Sequence, residues 1–126
     1  PGCGAIVSLI EKATGIQAFS VGKPSPVMMR MARKELGMAT SETIMIGDTM
    51  ETDIQGGVQM GYKTILVLSG GSSRADLAKY AFKPDLVIDS VADLDEGTGL
   101  LHEILPSMNR EDDTPHDLRE WARAHA

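Results

Sequence analysis

Cysteine occurs once in the 126 residues, at Cys3. One thiol excludes an internal disulfide, gives no sign of an oxidising compartment, and leaves the cytoplasm as the default location. Cations are in the minority, with Lys+Arg 12 against Asp+Glu 18 and a net charge of -6. With no basic cluster along the chain, a nucleic-acid partner is disfavoured, because phosphate backbones call for grouped cations. No apolar run is long enough to span a bilayer, and Pro1-Gly2-Cys3-Gly4 lacks the charged start of a signal peptide, so no membrane is expected. Repeats and low-complexity blocks are absent. So is Gly-x-Gly-x-x-Gly after any apolar segment, which argues against a dinucleotide-binding domain. The missing initiator Met is consistent with a chain cut from something longer. The remainder is ordinary: 42% hydrophobic and 24% charged residues describe a soluble globular protein of one domain at most.

The most informative stretch runs from Thr43 to Ile54. A β-branched and apolar segment, Thr43-Ile44-Met45-Ile46, ends in Gly47-Asp48, and Asp53 follows five positions later at the start of an amphipathic run. This reads as a buried parallel strand, a tight turn and a helix N-terminus. In an open α/β sheet such a turn lies beyond the carboxyl end of its strand, where ligands gather. Gly47 permits close backbone approach, and Asp53, about a turn and a half along, looks back toward Asp48. Two converging acids suit a hard divalent cation, with Mg²⁺ usual beside phosphate. The same acids also serve as ordinary helix caps. Upstream, Gly22-Lys23-Pro24 joins an apolar segment to a second helix, and a cation there opposes the helix dipole, which favours a functional reason for Lys23.

Taken in order, apolar spacing from Ala5 to Ala13 predicts a helix closed by Thr14-Gly15, with Cys3 a small buried or capping residue. Ile16 to Val21 reads as a short strand. Ser25-Pro26 suits a first helical turn, followed by an apolar face of Val27, Met28, Met31, Ala32 and Leu36 up to Gly37. A helix from about Glu51 to Met60 turns Ile54, Val58 and Met60 inward, and Gly56-Gly57 permits close approach to the sheet. Lys63 to Leu68 is a strand buried on both faces. Ser69-Gly70-Gly71-Ser72-Ser73 is a loop at its carboxyl end that offers donors to a phosphate or simply leads to a helix from Arg74 to Tyr80. Leu86-Val87-Ile88 forms a third strand, Asp89-Ser90 caps Val91 to Leu94, and a last helix covers Leu100 to Leu105. Beyond it come the charged linker from Asn109 to Asp113 and an amphipathic tail with Leu118 and Trp121; His116 and His125 read as exposed rather than as ligands. Short connections between these strands require right-handed crossovers and a parallel sheet, which puts Lys23, Asp48 and Asp53 on one rim.

Val21-Gly22-Lys23-Pro24-Ser25-Pro26, then Ile46-Gly47-Asp48-Thr49-Met50-Glu51-Thr52-Asp53-Ile54, then Leu66-Val67-Leu68-Ser69-Gly70 resemble, in order and spacing, the NagD-type branch of the haloacid dehalogenase (HAD) superfamily of phosphohydrolases. The resemblance covers roughly Gly2 to Leu94. It implies an α/β fold: a partial doubly wound, Rossmann-like parallel sheet with flanking helices, its cap domain and N-terminal strands absent. Residues 1–108 would be the C-terminal part of the core, and 109–126 the linker and tail. The implied activity is Mg²⁺-dependent hydrolysis of small phosphorylated metabolites or nucleotides through an aspartyl-phosphate, with Asp48 and Asp53 at the metal and Lys23 on the phosphoryl group. The family's Asp-x-Asp nucleophile motif is not found. Asp93-Leu94-Asp95-Glu96-Gly97 imitates it, but it follows the last strand and has glycine where a hydroxyl residue belongs. This chain alone is therefore expected to bind metal weakly and to be inactive, and its free sheet edge calls for a homodimer partner or the missing N-terminal half. The competing reading is a non-catalytic α/β binding or scaffold module that uses the exposed edge.

Overall fold

The computed structural model describes residues 2–94 together with 99, 100 and 104. The expected linker and tail, the 108/109 boundary and Asp95-Glu96-Gly97 lie outside the described residues. Of the helix expected from Leu100 to Leu105, Leu100 and Ile104 are described, and both are helical.

Three parallel strands form the sheet in the order β1-β2-β3: β1 is Ile44–Gly47, β2 Lys63–Val67 and β3 Leu86–Ile88. Ile46 stands beside Ile65, and Leu66 beside Val87. The central strand is buried from Thr64 to Val67, as its continuous apolar sequence requires. Side chains alternate across a strand, so β2 feeds two cores. Ile65 and Val67 pack with Ile88 and Ile104, against which Ile44, Leu86, Leu94 and Leu100 lean. Leu66 packs with Met50 and Ile54, joined by Leu77, Tyr80 and Phe82. Cover on both faces is the mark of a doubly wound sheet, here in partial form.

At the amino ends of β2 and β3, Asp85 acts as a polar brace. Its carboxylate accepts the Thr64 amide at 2.8 Å, the Thr64 hydroxyl at 3.1 Å and the Lys63 ammonium at 3.1 Å. Burial pushes this carboxyl up, but the Thr64 amide, Lys63 and the Thr64 hydroxyl together outweigh it and leave it below the usual carboxylate range.

The connecting helices depart from the periodic reading in instructive ways. Helix α1, Cys3–Thr14, ends on Gly15 in the left-handed region, as expected, yet none of its residues is buried and Cys3 is exposed. The strand expected from Ile16 to Val21 is irregular chain with Ile16, Phe19 and Val21 exposed. Its amides turn to local acceptors, Ile16 to the Thr14 hydroxyl and Ala18 to Glu11. Strand propensity without a neighbouring ladder does not make a strand. Helix α2, Pro26–Leu36, starts at Ser25, whose hydroxyl accepts the Val27 amide, and buries only Met29; Val27, Met28, Met31 and Leu36 stay exposed. It is anchored through that one turn, where the Tyr62 hydroxyl donates to the Met29 carbonyl at 3.0 Å.

The helix after β1 is not α-helical throughout. Met50–Ile54 forms a π-helical turn that runs into α3, Gln55–Met60. One extra residue in that turn rotates the following stripe relative to an α-helical count. Asp53, Ile54, Gly56 and Gly57 face inward and Val58 is exposed, contrary to the inward position expected for it, because the helix makes its close contact with the sheet through Gly57. A Cβ at Gly57 would lie 2.6 Å from the Thr64 methyl, so this glycine lets helix meet sheet. At Gly56 it would meet the Met29 methyl and Pro24 instead, so that glycine seats the Lys23-Pro24 turn.

Candidate active site

The rim beyond the carboxyl ends of β1 and β2 collects the polar groups singled out by their spacing. Asp53 leads the π-helical turn inward, with its side chain only 4% exposed. One of its carboxylate oxygens accepts the Lys23 ammonium at 2.6 Å and the other accepts the Thr49 amide at 3.2 Å. Lys23 reaches it from the turn closed by the Ser25 amide on the Gly22 carbonyl at 2.8 Å. With a side chain 46% exposed, the ammonium lies between the buried acid and solvent. Gly47 is required here for space rather than for its backbone angles, because any Cβ would overlap the Asp53 side chain.

Asp48 takes the next place on the same rim. Its Oδ2 accepts the Gly71 amide at 2.7 Å and its Oδ1 accepts the Thr49 hydroxyl at 3.3 Å. The Gly71 amide is the strongest influence on this carboxyl and, with smaller help from the Thr49 hydroxyl, holds it below the usual carboxylate range, so it is ionised at neutral pH. The main chain around it is fixed from the same loop. The Ser72 amide donates to the Asp48 carbonyl at 2.8 Å, and the Ser72 hydroxyl accepts the Met50 amide at 3.0 Å.

The lysine and both acids thus meet at one edge of the sheet, as their spacing implies. An ionised carboxylate has about four acceptor positions, and Asp48 uses two, leaving oxygen lone pairs of the kind a hard cation takes. Asp53 is committed differently, with one oxygen on Lys23 and one on Thr49. Its influence at a cation beside Asp48 would pass through its neighbours or a water. Among the described residues, no group of three or more His, Cys, Asp or Glu side chains is placed to hold a metal. The donor chemistry fits Mg²⁺, then, but as part of a coordination shell. Two shallow hollows of about 450 and 330 Å³ lie elsewhere, along the C-terminal half of α1, and contain none of these groups.

Residues 20–94 match the HAD-hydrolase-like family model, a span that includes Lys23, Asp48, Asp53 and the loop after β2. The chain belongs to the HAD-hydrolase-like family. Among its relatives, the dihydroxyacetone phosphatase of Corynebacterium glutamicum (strain R) is 46% identical over 94 residues, covering 75% of this chain and 34% of that protein. The ribonucleotide monophosphatase NagD of Escherichia coli (strain K12) is 45% identical over 95 residues, covering 75% and 38%. The solved structure of NagD from Escherichia coli K-12 superposes with a TM-score of 0.69 at 45% identity, again over 75% of this chain and 38% of that one. The chain therefore spans little more than a third of the length of these relatives, and its likeness is to the NagD-type branch of the family.

Within the family's motifs, spacing pointed to the charged residues but not to the groups that orient them. Thr49, Gly70, Gly71 and Ser72 went unassigned, the last three because Ser69–Ser73 reads more readily as a plain loop leading to the next helix than as a phosphate cradle. The available signal was position: parallel β1 and β2 in register must bring the loop after Val67 beside the turn after Gly47.

Proposed function

We propose that the protein containing this chain is a phosphomonoester hydrolase acting on small phosphorylated metabolites or nucleotides. The observation that carries the reading is the Lys23 ammonium at 2.6 Å from buried Asp53, on the rim that also holds ionised Asp48. A fixed cation and an acid with spare oxygens side by side suit a phosphoryl group, whose transfer depends mainly on positioning and charge. The names of the relatives support the class and cover both a triose and nucleotides, so this segment carries the shared chemistry and leaves the substrate open.

In this reading Asp48 holds Mg²⁺, Asp53 supports it from behind and keeps Lys23 extended toward the rim, and Lys23 neutralises the phosphoryl oxygens. Mg²⁺, when bound, would offset negative charge on the phosphoryl group and on the attacking carboxylate. The nucleophile that forms the aspartyl-phosphate is an aspartate outside this segment, since Asp93 follows the last strand with its carboxylate accepting the Ser90 amide at 2.9 Å and lacks the family's Asp-x-Asp setting. This chain alone is accordingly inactive. A cytoplasmic location suits the lone cysteine and the small phosphorylated substrates; no helix among the described residues is long and apolar enough to cross a membrane.

The test is hydrolysis of p-nitrophenyl phosphate with Mg²⁺, by this chain and by the full-length protein. The full-length protein should turn over, and Asp48→Asn should lower kcat by at least roughly 100-fold. Turnover by the isolated chain would place the nucleophile within it and overturn the assignment of roles.

A further inference from the structure

We propose that the Ser69–Ser73 loop is a positioning clamp for Asp48, with Ser72 as its principal residue, rather than a cradle for phosphate. The inference rests on the reading of Asp48 as the metal-holding acid. Its geometry is a set of donors and acceptors already committed. The Gly71 amide, a donor at the centre of the loop, is spent on Asp48 Oδ2 at 2.7 Å. Ser72 is buried and its two polar groups hold the turn on either side of Thr49: its amide binds the Asp48 carbonyl at 2.8 Å and its hydroxyl receives the Met50 amide at 3.0 Å. Asp48 is thereby fixed at its carbonyl, at one carboxylate oxygen and through the residue two places on. Gly70 completes the fit, since a Cβ there would overlap the Asp48 carboxylate.

A buried serine can be merely structural, because the Met50 amide belongs to the first turn of a helix and would otherwise be unpaired. The two roles separate in the metal response. A structural serine affects stability alone, whereas a clamp changes how well Asp48 meets a cation, and partners that orient a metal ligand are worth about 10–100-fold in affinity.

The experiment uses the full-length protein and two readouts: direct Mn²⁺ binding followed by electron paramagnetic resonance, and the Mg²⁺ concentration giving half-maximal hydrolysis of p-nitrophenyl phosphate. Ser72→Ala should weaken both about tenfold, leave KM at saturating Mg²⁺ within about twofold, and be largely restored in Ser72→Thr. Gly70→Ala, whose Cβ would lie 2.6 Å from the Asp48 Cβ and Cγ, should shift both in the same direction by crowding the carboxylate. If Ser72→Ala does not fold, Ser72→Cys, which keeps the volume and weakens the acceptor for the Met50 amide, takes its place with the same expected direction. Unchanged Mn²⁺ and Mg²⁺ affinity in folded Ser72→Ala or in Gly70→Ala overturns the clamp. Asp48→Asn distinguishes the two levels: if it too leaves Mn²⁺ affinity unchanged, the metal role of Asp48 is at fault, and if it abolishes binding while the loop variants do not, only the clamp is.

Discussion

The Asp53 carboxylate is almost fully enclosed, which an ionised group tolerates only when a counter-charge and hydrogen bonds replace water. Lys23 and the Thr49 amide provide them. Replacing Lys23 by Met should therefore cost stability as well as chemistry. With the lysine about half exposed, solvent offsets part of the loss, and a destabilisation of roughly 1–3 kcal/mol is expected from urea unfolding of the full-length protein. The double variant Lys23→Met/Asp53→Asn should recover much of that stability and none of the activity, because removing both partners no longer buries an unpaired charge. No recovery in the double variant would mean that the loss does not come from an unpaired buried charge. The charged trio itself was legible in the sequence, because Gly-Lys-Pro and Gly-Asp-x-x-x-x-Asp each sit where a strand gives way to a helix. Thr49 and Ser72 were not, since a hydroxyl that holds another residue's carboxylate or amide leaves no spacing of its own.

Among the elements, Asp85 joins β2 to β3 through three donors, and its lowered folded-state pKa makes that bracing dependent on pH. A carboxyl depressed on folding stabilises above its unfolded value of about 3.9, and that contribution disappears as pH falls through the folded value. Asp85→Asn should then cost about 1 kcal/mol at pH 7, discounted for a side chain about one-third exposed, and less at pH 3, below the unfolded value. Urea midpoints of the two proteins at both pH values check this; an equal gap at pH 3 would rule out the carboxylate as the cause. Strand identity was readable for all three strands of the sheet, because continuous β-branched runs bounded by turns leave few alternatives. The supposed strand from Ile16 to Val21 and the inward Val58 were misread for different reasons. The first depended on a ladder partner that propensity cannot supply. The second followed from a helix that meets the sheet through Gly57, a residue with no hydrophobic signal of its own.

For the molecule as a whole, the apolar surface outside the sheet is large. Ile6, Leu9 and Ile10 on α1, Phe19 after it, and Met28 and Met31 on α2 are all exposed, as is Ile46 on edge strand β1. Such surface on a small domain favours association. Sedimentation of the isolated chain should show mass rising with concentration over the micromolar range, and Ile46→Lys at the edge strand should reduce it. A single monomeric species throughout, with or without the lysine, would mean that this surface needs no partner. The Asp85 brace lies at the amino ends of the strands, and the rim with Lys23, Asp48 and Asp53 lies at their carboxyl ends. The segment is thus fastened at one end and busy at the other. Substitutions at the rim would leave that fastening untouched, so rim variants should keep the pairing of β2 with β3.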